Sequence, residues 1–317
     1  MGRRRRAPGA VGALHHEQLR RLLHEADRLA GERVAELVCH GGEYGTGVAL
    51  RCLYTDLDGT LLGRFGNLFG DAEGNFSRSQ ALMLEAAHRA GVEVVIMSGR
   101  REAQVNSDSR LIGQTSYIYE AGCAMVIDRE RTYLTGEWVP DSSGVPADRI
   151  VASGLPDLLF ESFRPRLEWH APWHEGRELS LLFRGRVDVD EVNALIAEHE
   201  DGSSLRFLDN GAINRRMPGI DVPHAYHLVP GGASKGKAVG AHMRARGYLP
   251  QECIAAGDSI EDLGAAEYVG RFFCVANGPE NDEPLRAAIA GLDNVTVTEG
   301  RMGEGVYEAV VTTLAVR

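Results

Sequence analysis

The sequence predicts a doubly wound, Rossmann-like α/β core that carries an inserted α+β cap domain and an N-terminal helical extension. Three observations lead there. Short apolar runs ending in Asp, Ser or Gly alternate with amphipathic stretches, the pattern of a parallel sheet with crossover helices. The interval from Ser98 to Lys235 is far longer than one crossover helix and one strand require, so a second folded unit has to lie within it. Ahead of the first run, Leu19, Leu22, Leu23, Ala26, Leu29, Ala30, Val34 and Leu37 recur at three- and four-residue intervals, the period of one amphipathic helix over 16–38.

Taken in order, residues 1–45 form a basic tail and that helix, 46–135 the first part of the core, 136–228 the cap, and 229–317 the rest of the core. Strands are expected at 50–55, 92–97, 117–119, 253–256, 272–275 and 295–298. Helices are expected at 78–90, 102–111, 237–246, 260–268, 284–290 and 306–314. In the cap, 178–183 and 205–208 read as strands and 189–199 as a helix. The Gly- and Phe-rich run 63–75 reads as a flap beside the site.

Composition narrows the function. The chain has 317 residues, 44% apolar and 25% charged, as in an ordinary globular protein. Its formal net charge of −11, from 45 acids against 34 Lys and Arg, argues against sequence-independent nucleic-acid binding, since the overall field repels a polyanion. No apolar run is long enough for a membrane helix. Five cysteines, odd in number and mostly inside apolar segments, read as reduced core thiols and imply a cytoplasmic setting. Arg3 to Arg6 superficially suggest export, yet the Ala- and Gly-rich stretch behind them reaches His15 before a signal core develops, so a disordered basic tail is expected. The helix behind it either packs on the core or makes a subunit contact, the latter giving a homodimer.

Four motifs carry the chemistry. In Asp56-Leu57-Asp58-Gly59-Thr60, two carboxylates emerge where a buried strand ends, the edge at which open α/β sheets bind ligands. Side chains two apart on an extended strand point the same way, so both carboxylates can face one bound group. Ser98-Gly99-Arg100 ends the next strand with a hydroxyl and backbone N–H groups suited to an anion. Ser234-Lys235-Gly236-Lys237 opens a helix with a cation at its phosphate-favouring end. Gly257-Asp258-Ser259-Ile260-Glu261-Asp262 follows a further apolar run with two acids four apart.

In this order, the four motifs resemble those of the haloacid dehalogenase superfamily, over roughly residues 48–314. The Asp-x-Asp-Gly-Thr form is similar to its phosphatase and phosphotransferase members, since the dehalogenases lack the second aspartate. The large insertion between the second and third motifs resembles the branch that includes phosphatases of sucrose phosphate and mannosyl-phosphoglycerate. Two details depart from the pattern. Glu120-Ala121-Gly122 stands where many members carry Asn-Gly, and Glu261 stands where Asn is common.

The resemblance implies an Mg²⁺-dependent phosphomonoester hydrolase acting through an aspartyl-phosphate on a small phosphorylated metabolite, a sugar or polyol phosphate. Asp56 would be the nucleophile and Asp58 the general acid and base. Asp56, the Asp58 carbonyl and Asp258 would hold the metal, Ser98, Gly99 and Lys235 would bind phosphate, and Asp262 would orient Lys235 or a metal-bound water. Substrate selection falls to the cap, with Arg164, His170, Trp173, His174, Arg177, Arg215 and Arg216 as candidates. His170 and His174 have helical spacing, but Pro172 between them argues against a helical metal pair. The competing readings are a phosphotransferase or mutase of the same superfamily and a catalytically silent binding module.

Overall fold

The computed structural model describes residues 49–213 and 215–315. The basic tail, the 16–38 helix and Cys39 lie outside these residues. In chain order the core opens with β1 (Cys52–Thr55), α1 (Ser79–Ala90), β2 (Glu93–Met97), α2 (Glu102–Leu111), β3 (Tyr117–Tyr119), β4 (Ala124–Ile127) and β5 (Glu130–Tyr133). The cap region follows with α3 (Pro146–Ala152), α4 (Leu155–Phe163), β6 (Leu167–Trp169), β7 (Leu181–Gly185), α5 (Val189–Ala197), β8 (Leu205–Ala212) and β9 (His224–Pro230). The core then resumes with α6 (Lys235–Arg246), β10 (Cys253–Gly257), α7 (Ile260–Leu263), β11 (Arg271–Cys274), α8 (Asn277–Asn281), α9 (Glu283–Ile289), β12 (Val295–Val297) and α10 (Gly303–Ala315).

The core is an eight-stranded sheet in the order β12-β11-β10-β1-β2-β3-β4-β5. From β12 to β3 every pairing is parallel, and these are the six strands expected from sequence. The β4–β5 hairpin is antiparallel and was not expected. Its two-residue turn, Asp128-Arg129, has φ of 51° and 77° at non-glycine residues, so the Asn-Gly signal of such turns is missing. Alternate residues of β1 feed opposite faces: Leu53 joins one apolar core with α1 and α10, while Cys52 and Tyr54 join another beneath α6. Each face is covered by helices, as a parallel sheet buried on both sides requires.

The cap has its own four-stranded antiparallel sheet, ordered β6-β7-β9-β8, and its own apolar core with α3, α4 and α5. Three expectations shift here. The strand expected from 178 begins only at Leu181, because the backbone N–H groups of Glu178, Leu179 and Ser180 donate to the Glu120 carboxylate instead of to a strand. The unforeseen β9 runs through Pro230, past the expected boundary at 228, since its pairing with β8 continues to the Leu205–Pro230 register. In the resumed core, the helix expected over 260–268 is α-helical only to Leu263 and continues as a 3₁₀ turn.

What positions the site is register. Thr55 at the end of β1 lies level with Ile96 near the end of β2 and Ala256 near the end of β10, so Asp56, Ser98 and Asp258 leave the sheet at one edge.

Candidate active site

Lys235 is the hub of this edge. Its side chain is 1% exposed, and its ammonium donates to Asp56 Oδ1 at 2.9 Å and to Asp262 Oδ1 at 2.8 Å. Burial disfavours the cation, yet Asp262, Asp56 and Glu261 outweigh it and hold the lysine well above its ordinary pKa. The helix starts at Lys235, two residues earlier than its periodicity suggested, because Ser234 caps it by accepting from the Lys237 N–H. Gly122 permits the close approach. Its φ is +84°, and a Cβ there would stand 2.2 Å from the Ser234 carbonyl carbon and 2.6 Å from the Lys235 nitrogen.

Asp56, Asp258 and Asp262 present carboxylate oxygens within 4.8 Å of one another. Burial pushes the Asp56 carboxyl up to about 7 against the pull of Lys235. Burial, then the charges of Asp56 and Asp262, raises Asp258 well above the usual carboxylate range. Such crowding of hard oxygen donors is relieved by a small divalent cation, so the residues fit Mg²⁺. Asp262 spends Oδ1 on Lys235 and Oδ2 on the Ser259 hydroxyl and the 258–259 backbone, so of the three acids Asp56 and Asp258 are the ones that could hold an ion. Thr60 donates to Asp258 Oδ1 at 2.9 Å, and at Gly59 any Cβ would collide with Asp258 Oδ2 at 2.3 Å.

Asp58 is arranged differently from the expectation. Strand β1 ends at Thr55 and the chain turns, so Asp56 and Asp58 do not share one face of an extended segment. Asp58 is exposed and is clasped by the Arg100 guanidinium, Nε to Oδ2 at 2.7 Å and Nη2 to Oδ1 at 2.6 Å. Arg100 is steadied in turn by Asp108 at 2.8 Å. Its position directly after Ser98-Gly99 was the signal available for it.

Ser98 is buried and accepts from the Arg100 N–H, while the Gly99 carbonyl accepts from Arg177 at 2.8 Å. A Cβ on Gly99 would meet His227 Nε2 at 2.6 Å and Asn210 Nδ2 at 3.3 Å. The cap sheet thus brings His227 and Asn210 onto the second motif. Sequence reasoning missed both, since a lone His or Asn in a cap strand carries no pattern.

The other cap candidates divide. Arg177 is buried, 3.7 Å from Glu120, which also accepts from the Ser180 hydroxyl, so this pair joins cap to core. Glu120 and Ala121 have φ of 47° and 58°, a left-handed pair costing roughly 1–2 kcal/mol per residue that the four hydrogen bonds accepted by Glu120 offset. The departure at 120 is therefore a clasp. His170 is 9% exposed, with Nδ1 unpartnered; burial, then Arg184 and Arg215, lowers it to about 4. His174 stacks on Trp169 in a turn rather than a helix. Arg215 donates to the Ala171 carbonyl, Arg164 covers Phe160 within the cap, and Trp173 and Arg216 are exposed.

No family model matches the chain. It is 26% identical over 271 residues to a phosphoglycolate phosphatase of Methanoculleus marisnigri, covering 82% of this chain and 95% of that one. It is 28% identical over 236 residues to a phosphoglycolate phosphatase of Methanospirillum hungatei, covering 73% and 86%. Among solved structures, the sucrose-phosphatase of Synechocystis superposes with a TM-score of 0.60 at 15% identity, over 84% of this chain and 98% of that one. A phosphatase of the haloacid dehalogenase superfamily from Bacteroides thetaiotaomicron gives 0.52 at 17% identity, over 87% and 99%. The chain is therefore similar in sequence to phosphoglycolate phosphatases and shares the fold of sucrose-phosphatase and of phosphatases of the haloacid dehalogenase superfamily.

Proposed function

We propose that this phosphatase hydrolyses a small phosphorylated metabolite through an aspartyl-phosphate on Asp56, with Mg²⁺ held by Asp56, Asp258 and the Asp58 carbonyl. The observation that carries the reading is the buried Lys235 ammonium joining Asp56 to Asp262 at the sheet edge where Ser98 and Asp258 also emerge. When bound, Mg²⁺ supplies the positive charge that lets a carboxylate approach an anionic ester.

Asp56 forms a bond to phosphorus as the ester oxygen leaves, and that oxygen takes a proton from Asp58. Asp58 then removes a proton from water, whose oxygen bonds to phosphorus and releases Asp56 and inorganic phosphate. Lys235 and Ser98 bind the phosphoryl oxygens, and Asp262 keeps Lys235 in place. The exposed position of Asp58 suits both proton transfers, whereas buried, lysine-bound Asp56 suits attack.

Sugar or polyol phosphates are the substrate class we favour, because His170, His227 and Asn210 bring hydrogen-bonding groups to the cap side. The names of the sequence relatives add phosphoglycolate to the candidates. The test is inorganic phosphate release across a panel of phosphometabolites that includes phosphoglycolate and sugar phosphates. Activity should vanish with EDTA and return with Mg²⁺. Full turnover in verified metal-free protein, or transfer to an added hydroxyl acceptor without phosphate release, would refute the hydrolytic reading.

A further inference from the structure

At the opposite end of β1 from Asp56, three side chains line up across adjacent parallel strands. Cys52 is the register partner of Cys253 on β10 and of Glu93 on β2, and the three side chains lie on the face covered by α6. From that helix His242 comes down onto the row. Cys52, Glu93 and His242 each present a ligand atom within 4.8 Å of the others, with His242 Nε2 lying 3.8 Å from Glu93 Oε1. The His242 side chain is fully buried and its Nε2 has no hydrogen-bond partner, which leaves a strong donor aimed at a thiol and a carboxylate.

The surrounding groups are arranged as the outer shell of a metal site. His242 Nδ1 is 2.8 Å from the Tyr54 hydroxyl, and Tyr54 stands two residues from Cys52 on the same face of β1. If Nδ1–H donates to that oxygen and the hydroxyl donates to a Cys52 thiolate, Nε2 is left with its lone pair free and the thiolate is stabilised. Glu93 is fixed by Ser116 at 2.7 Å, Arg246 at 2.9 Å and Tyr248 at 2.8 Å. Asp128 pairs with Arg246 at 2.7 Å and tempers the repulsion that this guanidinium would exert on a cation. Glu93 is the partly exposed member of the trio.

We propose that Cys52, Glu93 and His242 form a second cation site, separate from the catalytic carboxylates, for a thiophilic divalent metal such as Zn²⁺. Sulfur and imidazole ligands select such an ion over Mg²⁺, and thiolate plus carboxylate balance its charge. Cys253, on the side of Cys52 away from Glu93, is a neighbour and not a ligand.

The test uses the full chain with Mg²⁺ in excess and Cd²⁺ as the probe, reading thiolate-to-metal charge transfer in the ultraviolet. One equivalent should give a saturable band that persists in Cys39→Ser, disappears in Cys52→Ser and requires at least about tenfold more Cd²⁺ in His242→Gln. Absence of the band in the wild type, its loss in Cys39→Ser, or its full survival in Cys52→Ser would overturn the assignment. Should Cys52→Ser fail to fold, His242→Gln decides: unchanged Cd²⁺ affinity overturns the site, and a tenfold loss supports it.

Discussion

At the candidate site the core edge and the cap differ in how several of their polar groups are held. On the core side Asp56, Lys235 and Asp262 are buried and bonded to one another, and Asp258 is held by Thr60. On the cap side His170 and Asn210 keep unpartnered atoms, while Trp173, Arg215 and Arg216 are exposed. A paired, buried charge tolerates little change, because losing its partner strands the other ion; an unpaired or exposed group can change at small cost. The core edge is thus the side that resists change and the cap the side that accommodates it, which is how the proposed mechanism divides chemistry from substrate choice.

The sharpest way to break that contrast is Asp56→Asn. On the proposed mechanism it loses roughly 10⁴–10⁶-fold in phosphate release, as removal of a nucleophile does, while the folded state persists. Asp58→Asn should cost about 10²–10⁴-fold in turnover, with the melting temperature nearly unchanged because the side chain is exposed. Wild-type rates from either variant would dissolve the assignment.

Lys235→Met tests the same edge through stability. It leaves the Asp56 and Asp262 carboxylates facing each other uncompensated, an expected loss of about 3–5 kcal/mol by denaturant unfolding. A loss below about 1 kcal/mol would show that solvent reaches the pair.

Glu261 gives a pH signature. Burial, opposed by Lys235 and reinforced by Asp262, pushes its carboxyl from 4.5 up to about 8. A folded-state pKa raised above the unfolded value contributes stability that is complete below about 4.5 and is lost as pH rises through about 8. Relative to the wild type, Glu261→Gln should therefore gain on the order of 1–3 kcal/mol in metal-free protein as pH goes from 4 to 9. Parallel stability profiles for the two proteins would show that Glu261 keeps an ordinary pKa.

The smallest effects belong to the cap. Arg164→Ala and Arg216→Ala should change stability by no more than about 0.5 kcal/mol and leave substrate ranking intact. His170→Ala and Asn210→Ala should reorder a substrate panel more than they slow hydrolysis of p-nitrophenyl phosphate. A uniform slowing on every substrate would move the selecting groups into the core loops, beginning with 63–75.

The six parallel strands and the order of the four motifs were legible in the sequence because both are written locally. A buried strand has to be apolar and end in a turn, and phosphate chemistry admits few residue types at its mouth. The hairpin at Asp128-Arg129 was not legible, since its turn conformation is imposed on residues that do not advertise it. Nor were the partners. That Asp58 goes to Arg100 and not to the Asp56 group, that Glu120 clasps residues 178–180, and that His227 and Asn210 arrive at Gly99 all depend on contacts between residues 42 to 128 apart in the chain. Chain chemistry set which groups were available for the site. The folded structure decided which of them lost water together, and that shared burial determines how a carboxylate is charged and what it meets.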